Sequence, residues 1–368
     1  MLPSRKEWKV MTRKQQAGFS LIETMVSLIV LLAVSAIVMT GMSEMMHTQG
    51  TLANRTEMHT SVRGATELLE QEIGQAGKIS LPQPGGWLMT TAVLPIDFLT
   101  PDTPVTKNLV KFSLDTALFD NEQLLVDTGT SQETVTITCP VPGTCTDTWT
   151  AGPFYYTHAA KVPISAPGAF ATGIVPPAAG VMANPPTGYV GFPNGSTGNV
   201  LKLYGDINGD GNMLYVEYTC VTNADLSPGF LYRNEVPFNA AAAAKNWSPP
   251  IPSTALLSNV LPNPKDLSGN AVPCFNYQVS PVGILPDYTT LTPLQKTNVK
   301  QVYVTDVAVT LTEQTQNVDP QTNAYQKETK ALLNVSPRNV FNAYLLGRAD
   351  ETNRVQPMPL ILYNNLLP

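Results

Sequence analysis

Hydrophobic and polar positions change pattern twice along this chain, and each change marks a different element. From Phe19 to Met42 nearly every residue is apolar, the exceptions being Glu23 and a few Ser and Thr. Thr24 to Ser43 gives twenty residues without a charge, about 30 Å as a helix and enough to cross a bilayer core. After Glu44 the chain turns polar, with no proline until Pro82. Here Met58, Val62, Ala65, Leu69, Ile73 and Ala76 recur at steps of three and four, which predicts one apolar helical stripe. Arg55, Glu57, Arg63, Glu67 and Glu70 fall on the opposite face. Gly77 is a natural stop, and Pro82 prevents resumption. The two stretches read as one helix from Phe19 to about Ala76, its first half in lipid or a filament core and its second packed on a sheet. His47 and His59 sit among its polar residues and read as surface side chains.

Beyond Pro82 the helical period disappears. Strand-like runs occur at Leu109–Leu114, Gln123–Val126, Thr134–Thr138, Val200–Tyr204, Met213–Thr219, Val299–Thr312 and Lys330–Val335, separated by Gly, Pro and Asn clusters. No βαβ alternation and no fixed-period repeat is present. The predicted fold is α+β, a long N-terminal helix packed on an antiparallel β-sheet head with long loop insertions. Ala159–Asn199 and Ala240–Pro264 are rich in Ala, Pro and Gly and read as exposed loops or an insertion rather than core. The expected division is a leader over 1–18, the helix over 19–78 with 19–42 as its membrane or filament-core segment, and a head over 79–368 with an insertion around 139–199.

Composition narrows the compartment. Of 368 residues, 43% are hydrophobic and only 14% charged, well below the roughly 25% charged residues of ordinary soluble domains. The net charge of -6 gives no general attraction to nucleic acid, and no basic, aromatic-laced stripe suits DNA. The four cysteines, Cys139, Cys145, Cys220 and Cys274, lack the C-x-x-C spacing of a zinc or redox site. An even count in a chain whose bulk is exported predicts disulfides. Cys139 and Cys145 flank a turn-rich segment that a bridge could close, leaving Cys220 with Cys274.

Arg5, Lys6, Lys9, Arg13 and Lys14 make the start basic, which places the N-terminus in the cytoplasm and the bulk of the chain outside. A cleaved secretory signal needs a small-residue site after the apolar run, and Gly41-Met42-Ser43 is a poor one. A plain anchor gives no reason for Glu23, since a charge within a span costs roughly 2.5–3.5 kcal/mol. Gly18-Phe19-Ser20-Leu21-Ile22-Glu23 resembles the class III signal of type IV prepilins and type II secretion pseudopilins. That resemblance implies cleavage by a membrane prepilin peptidase after Gly18 and N-methylation of Phe19. It also implies pairing of the Glu23 carboxylate with the N-terminal ammonium of a neighbouring subunit, which offsets the cost of each charge in low dielectric. Further implied partners are other pilins through the N-terminal helix, the inner-membrane assembly platform and membrane lipid. The leader is long for the type IVa class, and Met11 begins a more ordinary one. Thr40-Gly41 stands where many major pilins carry a kinking proline; glycine there weakens a helix by about 1 kcal/mol relative to alanine.

Glu67 to Gly77 resembles the helix end of PilW-type minor pilins and J-type pseudopilins. Tyr215-Val-Glu-Tyr218 followed by Phe230-Leu-Tyr-Arg233 is similar to a strand pair of those proteins, and Leu256–Val260, Cys274–Tyr277 and Val302–Thr312 to their C-terminal strands. Asp206-Ile-Asn208-Gly-Asp210-Gly-Asn212 matches the first half of a calcium loop, with oxygen side chains at its first, third and fifth places. Asp206, Asn208 and Asp210 are therefore candidate ligands of a structural calcium. Glu217 holds the twelfth place, but an extended run would carry it some 15 Å away. The other reading is a turn-rich hairpin loop. Catalysis is not expected: His158 is the head's one histidine, and no nucleophile elbow, phosphate loop or metal-spaced His pair occurs. The function expected is a minor pilin of a type IV pilus, against a type II secretion pseudopilin or a non-polymerising anchored adhesin. The location expected is the inner membrane, single-pass, then a pilus, the periplasm or the cell surface.

Overall fold

The computed structural model describes residues 18–82, 85–91, 108–114, 118–140, 148–178, 180–182, 184–189, 191–245, 247, 251–282 and 302–366. Most of the leader, including Met11, and Cys145 lie outside them. Helix α1 spans Leu21–Gln75, about 82 Å at 1.5 Å per residue. It runs through Thr40-Gly41 without interruption. The large apolar side chains from Leu21 to Met46 are exposed, whereas Met58, Val62, Ala65, Leu69 and Ile73 are buried along the expected stripe. The helix stops where Gly77 takes a φ of +80°, donates its N–H to the Tyr204 carbonyl (2.9 Å) and accepts from the Phe170 N–H (2.9 Å). A Cβ there would lie 2.9 Å from the Val340 side chain, so packing as well as φ demands glycine.

The head contains two large antiparallel sheets. Strands β1 (Gly86–Trp87), β2 (Asn108–Val110), β3 (Gln123–Val126), β4 (Glu133–Thr138), β5 (Trp149–Gly152) and β6 (Pro163–Ser165) form the first, in the order β1-β6-β3-β4-β5-β2. In β4 the alternation is plain: Val135 and Ile137 point into a core while Thr134, Thr136 and Thr138 are half-buried. That core, with Leu88, Val110, Leu124, Trp149 and Phe154, is a cluster separate from the one beneath α1.

After β7 (Ala169–Phe170), the second sheet uses β8 (Val200–Gly205), β9 (Leu214–Val221), β10 (Gly229–Pro237), β11 (Ala255–Leu261), β12 (Phe275–Pro281), β13 (Val302–Gln314) and β14 (Lys327–Val335). Its path is β12-β13-β11-β10-β9-β8, with β14 also on β13. The α1 stripe packs in one cluster with Tyr218, Leu231, Val304, Val309 and Leu311 of this sheet. Helix α2 (Arg338–Arg348), β15 (Val355–Gln356) and helix α3 (Leu360–Leu366) complete the chain, β15 lying parallel to β7. Gln356 joins the lobes: its side chain accepts from the Gln123 N–H (3.0 Å) and donates to the carbonyls of Gln123 (2.9 Å) and Pro167 (2.8 Å).

The stretch 159–199, expected as exposed loop, instead supplies buried core: Phe170, Ile174, Val175 and Phe192 are inside. Its Ala, Pro and Gly residues break regular structure but let the backbone lie along β8. Val175 donates its N–H to the Lys202 carbonyl (2.9 Å), and Gly173 accepts from the Tyr204 N–H (2.8 Å). An irregular segment thus covers what would be an open sheet edge. In the other Ala- and Pro-rich stretch, β11 buries Leu257, Val260 and Leu261. Cys220 and Cys274 are bridged, and Cys139 is disulfide-bonded.

Candidate functional site: the N-terminal motif and its seat on the head

Ser20 and Glu23 close the first turn of α1 as a capping box. The Glu23 N–H donates to Ser20 Oγ (3.3 Å), and the Glu23 carboxylate accepts from the Ser20 N–H (3.2 Å). Two of the helix's otherwise unpaired N–H groups are thereby satisfied, and a negative charge sits at the positive end of the helix dipole. The sequence signal for this is Ser-x-x-Glu, which the signal-motif reading of Glu23 passes over. Other polar side chains in the apolar stretch bond back to their own helix: Thr24 to the Leu21 carbonyl (2.8 Å), Ser27 to Glu23 (2.7 Å) and Thr40 to Ala36 (2.9 Å). Hydroxyls satisfied in this way can enter lipid without unmet hydrogen bonds. Gly18 and Phe19 are exposed, and a Cβ at Gly18 would meet nothing within 4 Å. Packing among the described residues therefore gives no reason for a glycine at 18.

The other half of α1 is fixed to the head by polar contacts set into its apolar face. Arg233 of β10 donates to Glu72 through Nη2 (2.6 Å) and Nε (3.0 Å), and Tyr218 of β9 donates to Glu72 Oε2 (2.6 Å). Arg233 and Tyr218 are directly paired across β9 and β10, the strands expected from the family resemblance. Burial works against the Arg233 charge, but the Glu72 carboxylate outweighs it and raises the guanidinium pKa. Glu72 interrupts the Leu69–Ile73 stripe, and a carboxylate in an apolar face signals a buried partner. Towards the membrane-like end, Ser61 donates to the Glu313 carboxylate (2.8 Å) and Thr51 to Asp319 (2.6 Å), while His59 pairs with Glu328. Burial pushes the Glu313 carboxyl up to about 7, with Glu328 and Glu57 adding to the effect. His47 and His59 are exposed, in line with their polar surroundings.

Asp206, Asn208 and Asp210 lie in one loop after β8, each already engaged. Asp206 is buried; its carboxylate pairs with Lys78 Nζ (2.8 Å) and accepts from the Gly211 N–H (3.3 Å). Burial would raise its pKa, but the Lys78 ammonium and the Gly211 N–H hold it below the usual carboxylate range. Asn208 donates to Asp210 (2.9 Å), which also accepts from the Asn212 N–H (2.7 Å). A calcium ion held by Asp206, Asn208 and Asp210 would have to displace the Lys78 ammonium. Glu217 is in β9, bonded to Tyr215 and Thr219 and facing Lys202 of the neighbouring β8. His158 is fully buried between Asp127 (3.0 Å) and Glu133 (2.7 Å), pinning a loop of the first sheet.

Comparison with known protein families matches residues 13–39 to the prokaryotic N-terminal methylation motif. No curated protein and no solved structure matches the chain. The matched span contains Gly18, Phe19, Ser20 and Glu23, the residues that cap and begin α1, and continues into its exposed apolar stretch. The chain thus carries, over residues 13–39, the prokaryotic N-terminal methylation motif, a type IV pilin-like prepilin signal.

Proposed function

We propose that this protein is a minor pilin of a type IV pilus. It enters the inner membrane with its N-terminus cytoplasmic, is cut by prepilin peptidase after Gly18, and acts in pilus assembly, priming or surface display. The observation that carries this reading is the form of α1. Its N-terminal stretch exposes every large apolar side chain from Leu21 to Met46, and its C-terminal stretch anchors a large head. An exposed apolar rod of that length needs lipid or neighbouring rods around it. The additional six-stranded sheet, with its own core, favours a specialised subunit over a bulk one. Glu23 would pass from its capping bonds to the ammonium that cleavage creates on a neighbouring Phe19. No catalytic role is assigned to the head.

Coexpression with a prepilin peptidase, followed by mass spectrometry of the N-terminus, tests the reading. Processing to an N-methylated Phe19, blocked by a charged residue at position 18, is expected. An uncut chain would favour the anchored adhesin. Glu23→Ala should still be cleaved yet be lost from sheared filaments; normal incorporation would remove the pairing role. Recovery of the chain in sheared surface pili supports the pilus, and confinement to the periplasm supports the secretion pseudopilin.

A further inference from the structure

Helix α2 turns one face away from the head. Val340 and Ala343 are buried, while Arg338, Phe341, Leu345 and Arg348 are exposed, at successive steps of three, four and three residues. Such steps place all four in one stripe, two apolar side chains with a cation at either end. Phe341 is 39% and Leu345 47% exposed. Neither arginine is in an ion pair with a described residue; Arg338 borders an open groove that Glu70 of its own α1 also lines, and Arg348 lies over the Tyr344 ring.

Helix α1 carries a stripe of the same spacing and the opposite charge: Glu57, Thr60, Gly64 and Glu67, all exposed. They look away from the head, which covers the other side of this helix. Met58, Val62 and Leu69 are buried there, and lower down Thr51 donates to Asp319 and Thr48 accepts from Gln321 (3.2 Å) of the loop joining β13 and β14. Glu67 pairs with Arg63 of its own helix, an exposed contact of little worth. Glycine weakens a mid-helix position by about 1 kcal/mol relative to alanine, yet a Cβ at Gly64 would meet nothing within 4 Å. That position instead leaves room for a surface arriving from outside the chain. A groove along Leu52, Ala53 and Thr56 continues the open surface towards the membrane-like end.

The two stripes of one chain lie at different levels. Asn339 donates to the Gln75 carbonyl (3.1 Å), which puts α2 beside the end of α1. The middle of the glutamate stripe is then about 20 Å away along the axis, at 1.5 Å per residue. A parallel second copy offset by about 20 Å brings its α2 to that level, and the exposed apolar stretches from Leu21 to Met46, about 39 Å long, still overlap along half their length. We infer that the α2 stripe of Arg338, Phe341, Leu345 and Arg348 docks on the α1 stripe of Glu57, Thr60, Gly64 and Glu67 in a second copy of this chain. The inference deepens the assembly reading and rests on it: packing of the apolar rods supplies most of the contact, and the charged stripes fix the offset. Because the two surfaces differ, the contact repeats from copy to copy as an open stack.

The full chain, coexpressed with a prepilin peptidase and held in mild detergent, allows a test by disulfide trapping, since no described cysteine is free. Thr60→Cys and Leu345→Cys chains with different tags are mixed and oxidised. A mixed dimer several-fold above that of Leu109→Cys with Leu345→Cys is expected. A chain carrying both Thr60→Cys and Leu345→Cys should give a ladder beyond the dimer. Glu57→Lys with Glu67→Lys in the first chain should reduce the mixed dimer several-fold, and Arg338→Glu with Arg348→Glu in the second should restore it. A yield no higher than the Leu109 control, no restoration, or a double variant that stops at the dimer overturns the contact. Mass spectrometry of the same chains reads the N-terminus. Background trapping with N-methylated Phe19 overturns the contact and leaves the pilin reading standing, whereas an uncut chain removes that reading and the contact with it.

Discussion

Residues 21–46 and 51–75 of α1 belong to one unbroken helix, yet different forces place them. In the N-terminal stretch all large apolar side chains are exposed, hydroxyls bond back to the helix and Glu23 caps its start. In the C-terminal stretch a single stripe is buried against a sheet, and Glu72 enters that stripe because Arg233 and Tyr218 receive it. The first surface is written for a solvent or for other helices; the second is written for a particular sheet. Substitutions that look alike should therefore behave unlike in the two stretches.

The largest expected effect is in the buried seam. Arg233→Ala leaves the Glu72 carboxylate and the Tyr218 hydroxyl to share a buried site without the cation, and should cost about 3–5 kcal/mol in urea unfolding of the full chain in detergent. A loss below about 1 kcal/mol would mean that the ion pair does not hold helix to sheet. Leu69→Ala should cost about 2–5 kcal/mol by the same measurement. Leu31→Ala, in the exposed stretch, should leave head unfolding unchanged; a matching loss would erase the contrast between the two.

Gln356→Ala tests the joint between the lobes. It leaves the Gln123 N–H buried without its acceptor, a loss of about 1–3 kcal/mol. Faster amide exchange in β3 with little change in β9 and β10 is the expected pattern. Uniform acceleration across both sheets would show that they open together.

A smaller effect is pH-dependent. The Glu313 carboxyl sits near 7 in the fold, above its ordinary value of 4.5. A raised carboxyl is protonated more readily in the folded chain than in the unfolded one, so its stabilisation is complete below about 4.5. That stabilisation is lost as the pH rises through 7. The loss between pH 5 and 8 should be on the order of 1 kcal/mol. Glu313→Gln should flatten that region of the profile; an unchanged slope would place the titration elsewhere. The smallest effect concerns calcium. Because Lys78 already neutralises Asp206, calcium should barely move the Tm of the unsubstituted chain and raise that of Lys78→Ala more. Equal shifts would mean that Lys78 and the ion do not compete.

Legibility followed the range of the interactions involved. The span, the stripe, the stop at Gly77 and about half of the described strands depend on periods of two or about 3.6 and on local breakers, so they can be read along the chain. The expected Gln123–Val126 coincides with β3, and β13 ends two residues beyond the expected Thr312, the expected start at Val299 lying outside the described residues. The burial of Phe170, Ile174 and Phe192 is not legible, because Ala-, Pro- and Gly-rich composition says where regular structure fails and nothing about what the irregular chain covers. Of the N-terminal site, Gly18, Phe19 and Glu23 are legible as a motif, and the capping by Ser20 is available in the spacing.

By itself the sequence determined the long helix, its uncharged span and the prepilin signal, because each is set by neighbours in the chain and by the medium around them. Tertiary structure alone decided the two separate cores, the Gln356 joint, the clamp on Glu72 and the loop held at Thr48–Thr51. Each of those joins groups far apart in sequence, so its energy exists only once the strands have brought the partners within hydrogen-bonding reach.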